Sequence, residues 1–254
     1  MKLINANALK NVVPPSFRVA KGAVACWYSG EPELRMLRHV CANDELAIDI
    51  GANRGVYAWH LRRLARGVIA FEPQPDMARF LKQAFGSSVR VEQVALSDAG
   101  GTATLRIPTE RMESGRATIE NANRIDGTVS EIVVPRRRLD DYGLGPTGVI
   151  KIDVEGHELA VLKGAEALLT RDKPTLIVEA QDDHRKGALE SVSSYLAGFG
   201  YRGFFLKRGH IQDIKGLVSR PEPGHEALEQ GVFNFIFTAR ADVTRRLDGM
   251  ISAA

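Results

Sequence analysis

The feature that most narrows how this chain can fold is an apolar strand that ends next to an acid and runs into a glycine turn. It spans residues 46–60, LAIDIGANRGVYAWH. LAIDI is short and apolar, so it reads as a buried strand. After the turn, Val56, Trp59 and Leu64 share one face of a helix. Six more apolar runs read as strands: GVIAF (67–71), VRVEQVAL (89–96), GVIKIDV (148–154), TLIVEA (175–180), GFFLK (203–207) and VFNFIFT (232–238). Between them lie helical stretches. One covers 76–85 with Asp76 as its N-cap. Another covers 157–169 and sets Leu159, Leu162, Ala165 and Leu169 three and four apart, and a further one covers 187–197. Strands alternating with helices predict an α/β fold, a parallel sheet covered on both faces. Ligands bind such a doubly wound sheet beyond the carboxyl ends of its strands, where the strand order reverses. Function is therefore expected in the residues that follow each strand.

One stretch breaks the alternation. TATLRIP (102–108) has period-two apolar residues, and EIVVP (131–135) can pair with it as a hairpin. The polar segment 108–130 between them is longer than a turn requires, so it is either surface decoration or a working loop over the site. Residues 1–45 are expected to extend the same domain, with EPELRMLRHV (31–40) as a helix on the sheet edge, and residues 46–254 to form the main domain.

Charge and cysteine usage remove several classes. A net charge of +3 does not imply nucleic acid, and PRRRL (135–139) reads as a solvated basic face. Cys26 and Cys41 form no CxxC pair, which argues against zinc and against a disulfide framework. The opening MKLINANALKNVVPPSF lacks an unbroken apolar leader, and no run approaches the roughly 20 apolar residues of a membrane span. A soluble, cytoplasmic protein is expected.

The turn itself departs from the dinucleotide fingerprint. G-x-G-x-x-G needs its middle glycine so that the backbone can approach a pyrophosphate. Here Gly51-Ala52-Asn53-Arg54-Gly55 puts Asn53 at that place. Asp49, two residues before the first glycine, repels a pyrophosphate and attracts an ammonium or sulfonium. S-adenosylmethionine carries both cations. Glu72 ends the second strand about 20 residues beyond Gly51, the place from which an acid reaches the ribose hydroxyls of an adenosine. After the third strand, in ALSDAGG, Ala95 can line the adenine and Asp98 can accept from its amino group. Each residue alone has a plainer role as a turn or a cap. Together, in strand–loop–helix–strand order, they point to an adenosine cofactor.

The densest polar cluster is VIKIDVEGHELAVLKGAEALL (149–169), which leaves the fourth strand through Asp153, Glu155, His157 and Glu158. An alkyl hydroxyl attacks a sulfonium methyl only if a base takes its proton as the bond forms. Asp153, His157 and Glu155 are the candidates, and Glu179 and His184 lie across the cleft. Histidine suits the role because its pKa lies near the working pH. The plainer reading is that Glu155 caps the helix and Asp153 holds a backbone amide. A divalent ion such as magnesium on Asp153, Glu179 and His157, polarising a hydroxyl, is a less favoured alternative.

With these residues in place, the chain resembles the FkbM family of S-adenosylmethionine-dependent methyltransferases. The resemblance covers about 47–180 and rests on IDIGANRGVYAWHL, AFEPQPDMARFL, VALSDAGGTATL, RRLDDY and, most specifically, VIKIDVEGHELAVLKGAEALL. It implies the class I methyltransferase fold, a Rossmann-like sheet of about seven strands with the last, 232–238, antiparallel. It further implies O-methylation, commonly of sugar or polyketide hydroxyls. Carried over, Asp49, Gly51, Asn53 and Gly55 would hold the methionine end, Glu72 the ribose and Asp98 the adenine, while Asp153, Glu155 and His157 would face the acceptor. Arg54 departs from the small or polar residue expected there. The expected function is O-methyl transfer to a hydroxyl of a sugar, glycolipid or natural product. The rivals are an NAD-dependent oxidoreductase, disfavoured by Asn53 and Asp49, and a non-catalytic adenosine-cofactor-binding module, disfavoured by the intact 153–158 cluster.

Overall fold

The computed structural model describes residues 13–109, 117–120, 123, 127–218, 223–229 and 231–251. Five apolar runs become parallel strands where expected: β1 (Leu46–Ile50), β2 (Gly67–Phe71), β7 (Thr147–Ile152), β8 (Thr175–Glu179) and β9 (Arg202–Lys207). They join β3 (Arg90–Glu92), β10 (His210–Asp213) and β11 (Asn234–Thr238) in one sheet, ordered β10-β9-β11-β8-β7-β1-β2-β3. As expected, β11 runs antiparallel to its neighbours β8 and β9. The sheet has eight strands rather than about seven, because β10 folds back on the β9 edge.

From β1 the chain winds outward through β2 and β3, then crosses to β7 on the other side of β1. The reversal of strand order lies between β1 and β7. Gly51, Glu72, Asp153 and Glu179 all stand at the carboxyl ends of these strands. Both faces of the sheet are buried. Val161, Leu169 and Val192 cover Ile48, Ile50 and Ile152, whereas Val19, Ala58, Leu81 and Val243 cover Ala47 and Val149. The helix α1 (Pro15–Ser29) joins the second layer, against α3 (Val56–Leu61) and α4 (Pro75–Phe85), which follow the short α2 (Leu37–Val40). Within 31–40 a 3-10 turn, Pro32–Met36, runs into α2 and buries Leu34 and Leu37.

Three expectations need correction. The run 89–96 is two strands: β3 pairs with β2, but β4 (Ala95–Leu96) pairs with β6 (Val129–Arg137) in a second sheet. The β2 ladder ends at Phe71, and Pro73 beyond it has no N–H to continue it. The stretch 157–169 breaks into α5 (Glu158–Lys163) and α6 (Glu166–Asp172). At the break a Cβ on Gly164 would sit 1.9 Å from the Ser97 carbonyl oxygen, and Asp140 caps α6 by accepting from Ala167 N and Leu168 N, both at 3.0 Å. Finally, α4 starts at Pro75, and Asp76 caps nothing; its carboxylate pairs with Arg79 at 3.0 Å. The expected hairpin is present as β5 (Gly101–Pro108) against β6. Much of the 108–130 segment lies outside the described residues, but Thr118 bridges back to Arg106 on β5.

Candidate active site

The turn after β1 is forced by close packing. Gly51 has φ +77°, and a Cβ there would lie 1.8 Å from the Asp153 carbonyl oxygen. Gly55 has φ +75° and fits against Leu81 and Phe85 on α4, so it seats the helix instead of lining the cleft. Asn53 adopts φ +46°, and its Oδ1 is buried with no hydrogen-bond partner. Glu72 ties the loop to β2, because its carboxylate accepts from Asn53 N at 2.7 Å and from Gln74 N at 2.9 Å. Burial raises its pKa to about 7, despite those two amides.

A cleft of about 520 Å³ opens beyond these strand ends. It is walled by Phe71, Ala95 and Leu96, by Gly51, Asn53 and Glu72, and by Asp153, Glu155 and His157. The insertion supplies the remaining wall through Leu105, Thr118 and Ile119. Asp98, expected beside the adenine, is exposed and outside this lining; Ser97 Oγ donates to it at 3.1 Å.

Asp49 faces a second cavity, which shares Gly51, Asn53 and Asp153 with the first and adds Glu31, Tyr57 and Lys151. The carboxylate also does a cap's work, accepting from Ala58 N at 2.9 Å in the first turn of α3. Burial raises its pKa to about 7, against the pull of Lys151 and the Ala58 amide. Lys151 is a candidate site residue that the sequence reading missed, although its signal is plain: one charge inside an otherwise apolar strand. It is 2% exposed and opposite Asp49 in the β1–β7 register. Its ammonium donates to Asn234 Oδ1 at 2.9 Å and lies 3.6 Å from Asp153 Oδ2. Burial alone would lower its pKa, but Asp153, Glu179, Glu31 and Asp49 together hold it above the usual value.

Asp153 and Glu179 share a hydrogen bond. Both lose solvation, but Lys151 holds Asp153 below the usual carboxylate range, while the adjacent Asp153 charge drives Glu179 up. Asp153 therefore favours its charged form and Glu179 its protonated form. Glu155, with φ +56°, turns its carboxylate to His184 Nε2 at 3.0 Å. Its carbonyl oxygen accepts from Thr118 Oγ1 at 2.9 Å and Asn123 Nδ2 at 2.8 Å, which fastens the insertion to the turn. Glu158 is structural: its buried carboxylate accepts from Gly156 N at 2.9 Å and Val154 N at 3.3 Å.

His157 stands apart from Asp153. Its Nε2 is 2.8 Å from Ser97 Oγ and its Nδ1 is 3.1 Å from Glu120 Oε2, so both ring nitrogens are engaged. The divalent-ion alternative changes accordingly. Among the described residues, oxygens of Asp153, Glu155 and Glu179 lie within 4.8 Å of one another, without His157.

A sequence profile described as the methyltransferase FkbM domain matches residues 49–202. Hexuronic acid methyltransferase AglP of Haloferax volcanii is 30% identical over 136 residues, covering 52% of this chain and 54% of that protein. Methyltransferase sdnD of Sordaria araneosa is 27% identical over a match covering 47% of this chain and 60% of that protein. The chain thus spans little more than half the length of these curated relatives. The crystal structure of methyltransferase FkbM from Methylobacillus flagellatus KT matches with a TM-score of 0.50 at 18% identity, over 85% of this chain and 52% of that one, which shows a shared fold.

Proposed function

Because the chain belongs to the FkbM methyltransferase family, we propose that it transfers a methyl group from S-adenosylmethionine to a hydroxyl of a sugar, glycolipid or natural product. The observation that carries this reading is Asp153, held beside the Gly51 turn where the two cavities meet, with a carboxylate oxygen of Glu179 within 4.8 Å of its own. The carbohydrate class is supported by the relative whose name specifies a hexuronic acid. The fold, a class I methyltransferase sheet, agrees with it.

The residues present fit this cofactor. Gly51 and Asn53 line both cavities, and Asn53 Oδ1 is an unpaired buried acceptor there. Glu72 would take the ribose hydroxyls, Phe71, Ala95 and Leu96 would flank the adenine, and Asp49 would balance the charge of the methionine end. When bound, S-adenosylmethionine supplies a methyl group on a sulfonium centre.

Asp153 is then the proton acceptor. Its carboxylate is ionised, a third of its side chain is exposed, and it lines both cavities. A carboxylate held below its usual pKa is a weak base, yet it suffices, because the hydroxyl proton becomes strongly acidic once the oxygen begins to bond to carbon. Lys151 and Glu179 position Asp153 and keep it charged. Glu155, which lines the cleft and pairs with His184, offers an acceptor to a neighbouring hydroxyl of the substrate. His157 anchors the insertion through Glu120.

The test is incubation with methyl-labelled S-adenosylmethionine and a panel of uronic acid and neutral glycosides, followed by mild alkali. Alkali-stable label that disappears in Asp153→Asn, while S-adenosylhomocysteine still binds, is expected. Alkali-labile label would mean a carboxyl ester and overturn the hydroxyl acceptor. Binding of NAD in place of S-adenosylhomocysteine would overturn the reaction class.

A further inference from the structure

We propose that the outer face of α1, together with the groove between α1 and α3, docks the protein on an anionic membrane surface. Of the five large apolar side chains exposed among the described residues, three lie on this one helix: Phe17 at 60%, Val24 at 45% and Tyr28 at 76%. With Lys21 they recur at steps of four, three and four, which is one helical face. That face is opposite Val19, Ala23 and Cys26, which pack into the protein. The outward ridge is therefore not needed to seat the helix, and clustered exposed apolar groups mark interaction surfaces.

Beside the ridge, Trp27, Trp59 and His60 line a groove with Val24 and Tyr28. The His60 ring lies 5.2 Å from Trp27 and 4.9 Å from Trp59. Two arginines stand beside it, Arg63 at 4.0 Å and Arg62 at 5.3 Å from the Trp59 ring, and elsewhere on α1 Arg18 lies 4.9 Å from the Phe80 ring. Neither 15–29 nor 56–66 contains an acidic residue, although the whole chain has 31 acids against 34 lysines and arginines. The positive charge is thus concentrated where the apolar ridge is.

The partner must then be negative and apolar together. A bilayer containing anionic lipid is both, with phosphates for the arginines and Lys21 and an interfacial layer for Phe, Tyr and Trp. A nucleic acid would meet the cations and rings but leave Phe17 and Val24 in water. A second copy would set like charges against each other. Helix α1 ends at Ser29, and Glu31 lines the cavity that holds Asp49 and Lys151. Docking would bring that cavity toward the lipid surface; only this clause rests on the methyltransferase reading.

The chain's two tryptophans both lie in this groove, so intrinsic emission reports on it directly. The full chain is mixed with vesicles of phosphatidylcholine alone or with phosphatidylglycerol added. A blue shift and flotation with the anionic vesicles only, reversed by high salt, are expected. Arg18→Glu with Lys21→Glu and Arg63→Glu should weaken partition at least about fivefold per charge. Phe17→Ser with Tyr28→Ser should remove the blue shift. None of these side chains lines the cleft, so circular dichroism and S-adenosylhomocysteine binding should not change, which separates failure here from failure of the catalytic reading. Absence of flotation, equal partition into both vesicle types, a lipid-free dimer abolished by the Phe17/Tyr28 variant, or an emission change stronger with an oligonucleotide than with vesicles would each overturn the proposal.

Discussion

The ammonium of Lys151 lies 3.6 Å from the carboxylate of Asp153, and the lysine is 2% exposed. A buried cation inside a central parallel strand holds charge on the acid at the strand's end. Lys151→Met is expected to lower the urea midpoint, costing about 3 kcal/mol. That is the lower end for a buried pair, because Asp153 keeps contact with water. Turnover should fall with it, and Lys151→Arg should recover part of it. A Met variant with unchanged stability would show that the pair is not coupled.

Burial holds Asp49, Glu72 and Glu158 each at about 7. The folded chain thus keeps protons on these carboxyls between about pH 4 and pH 7, where the unfolded chain has lost them. Stability contributed in this way is present in acid and lost as pH rises through that window, levelling off above it. Ligand-free protein should therefore show a lower urea midpoint near pH 7.5 than near pH 5, and Glu72→Gln should flatten the difference. A midpoint that climbs over the same range would contradict the assignment.

Gly51→Ala should unfold the chain or cost about 3 kcal/mol or more. The added carbon meets the Asp153 carbonyl oxygen, and the backbone there is left-handed. Thermal melts of the variant check this directly, and a melting temperature within a few degrees of the wild type would show that the two strand ends can separate.

Thr118→Val removes the hydroxyl that donates to the Glu155 carbonyl oxygen and leaves a second donor, Asn123, in place. A loss of about 1 kcal/mol in stability is expected. KM for the acceptor should rise more than kcat falls, because Thr118 fastens the insertion that walls the cleft and its hydroxyl donates to the Glu155 carbonyl, not to the proton acceptor. Steady-state kinetics with a glycoside acceptor separate the two.

Chelation should leave turnover unchanged. Lys151 and His184 already face the carboxylates of Asp153 and Glu155 that a divalent ion would need. Dialysis against EDTA followed by assay with and without magnesium checks it; activity lost and then restored by magnesium would move the reaction onto the ion.

The sequence by itself determined a largely parallel sheet and the mouth of the site, because apolar runs alternating with amphipathic ones have few ways to bury both faces; the order of the strands came only with the structure. That Asp49, Gly51, Glu72 and Asp153 stand at the carboxyl edge was legible for the same reason: a strand's last residues must emerge there. What only the tertiary structure decided is how those groups pair. Lys151 stands 83 residues from Asn234, and Glu120 stands 37 from His157, yet each pair is in hydrogen-bond contact. Asp140 caps α6 from outside it, 27 residues before Ala167. Such contacts depend on how layers and insertions pack, and no local period records them. The charge state of Asp153, the engagement of His157 and the cap on α3 by Asp49 follow from that packing, since each is set by the burial and the partners that neighbouring elements supply.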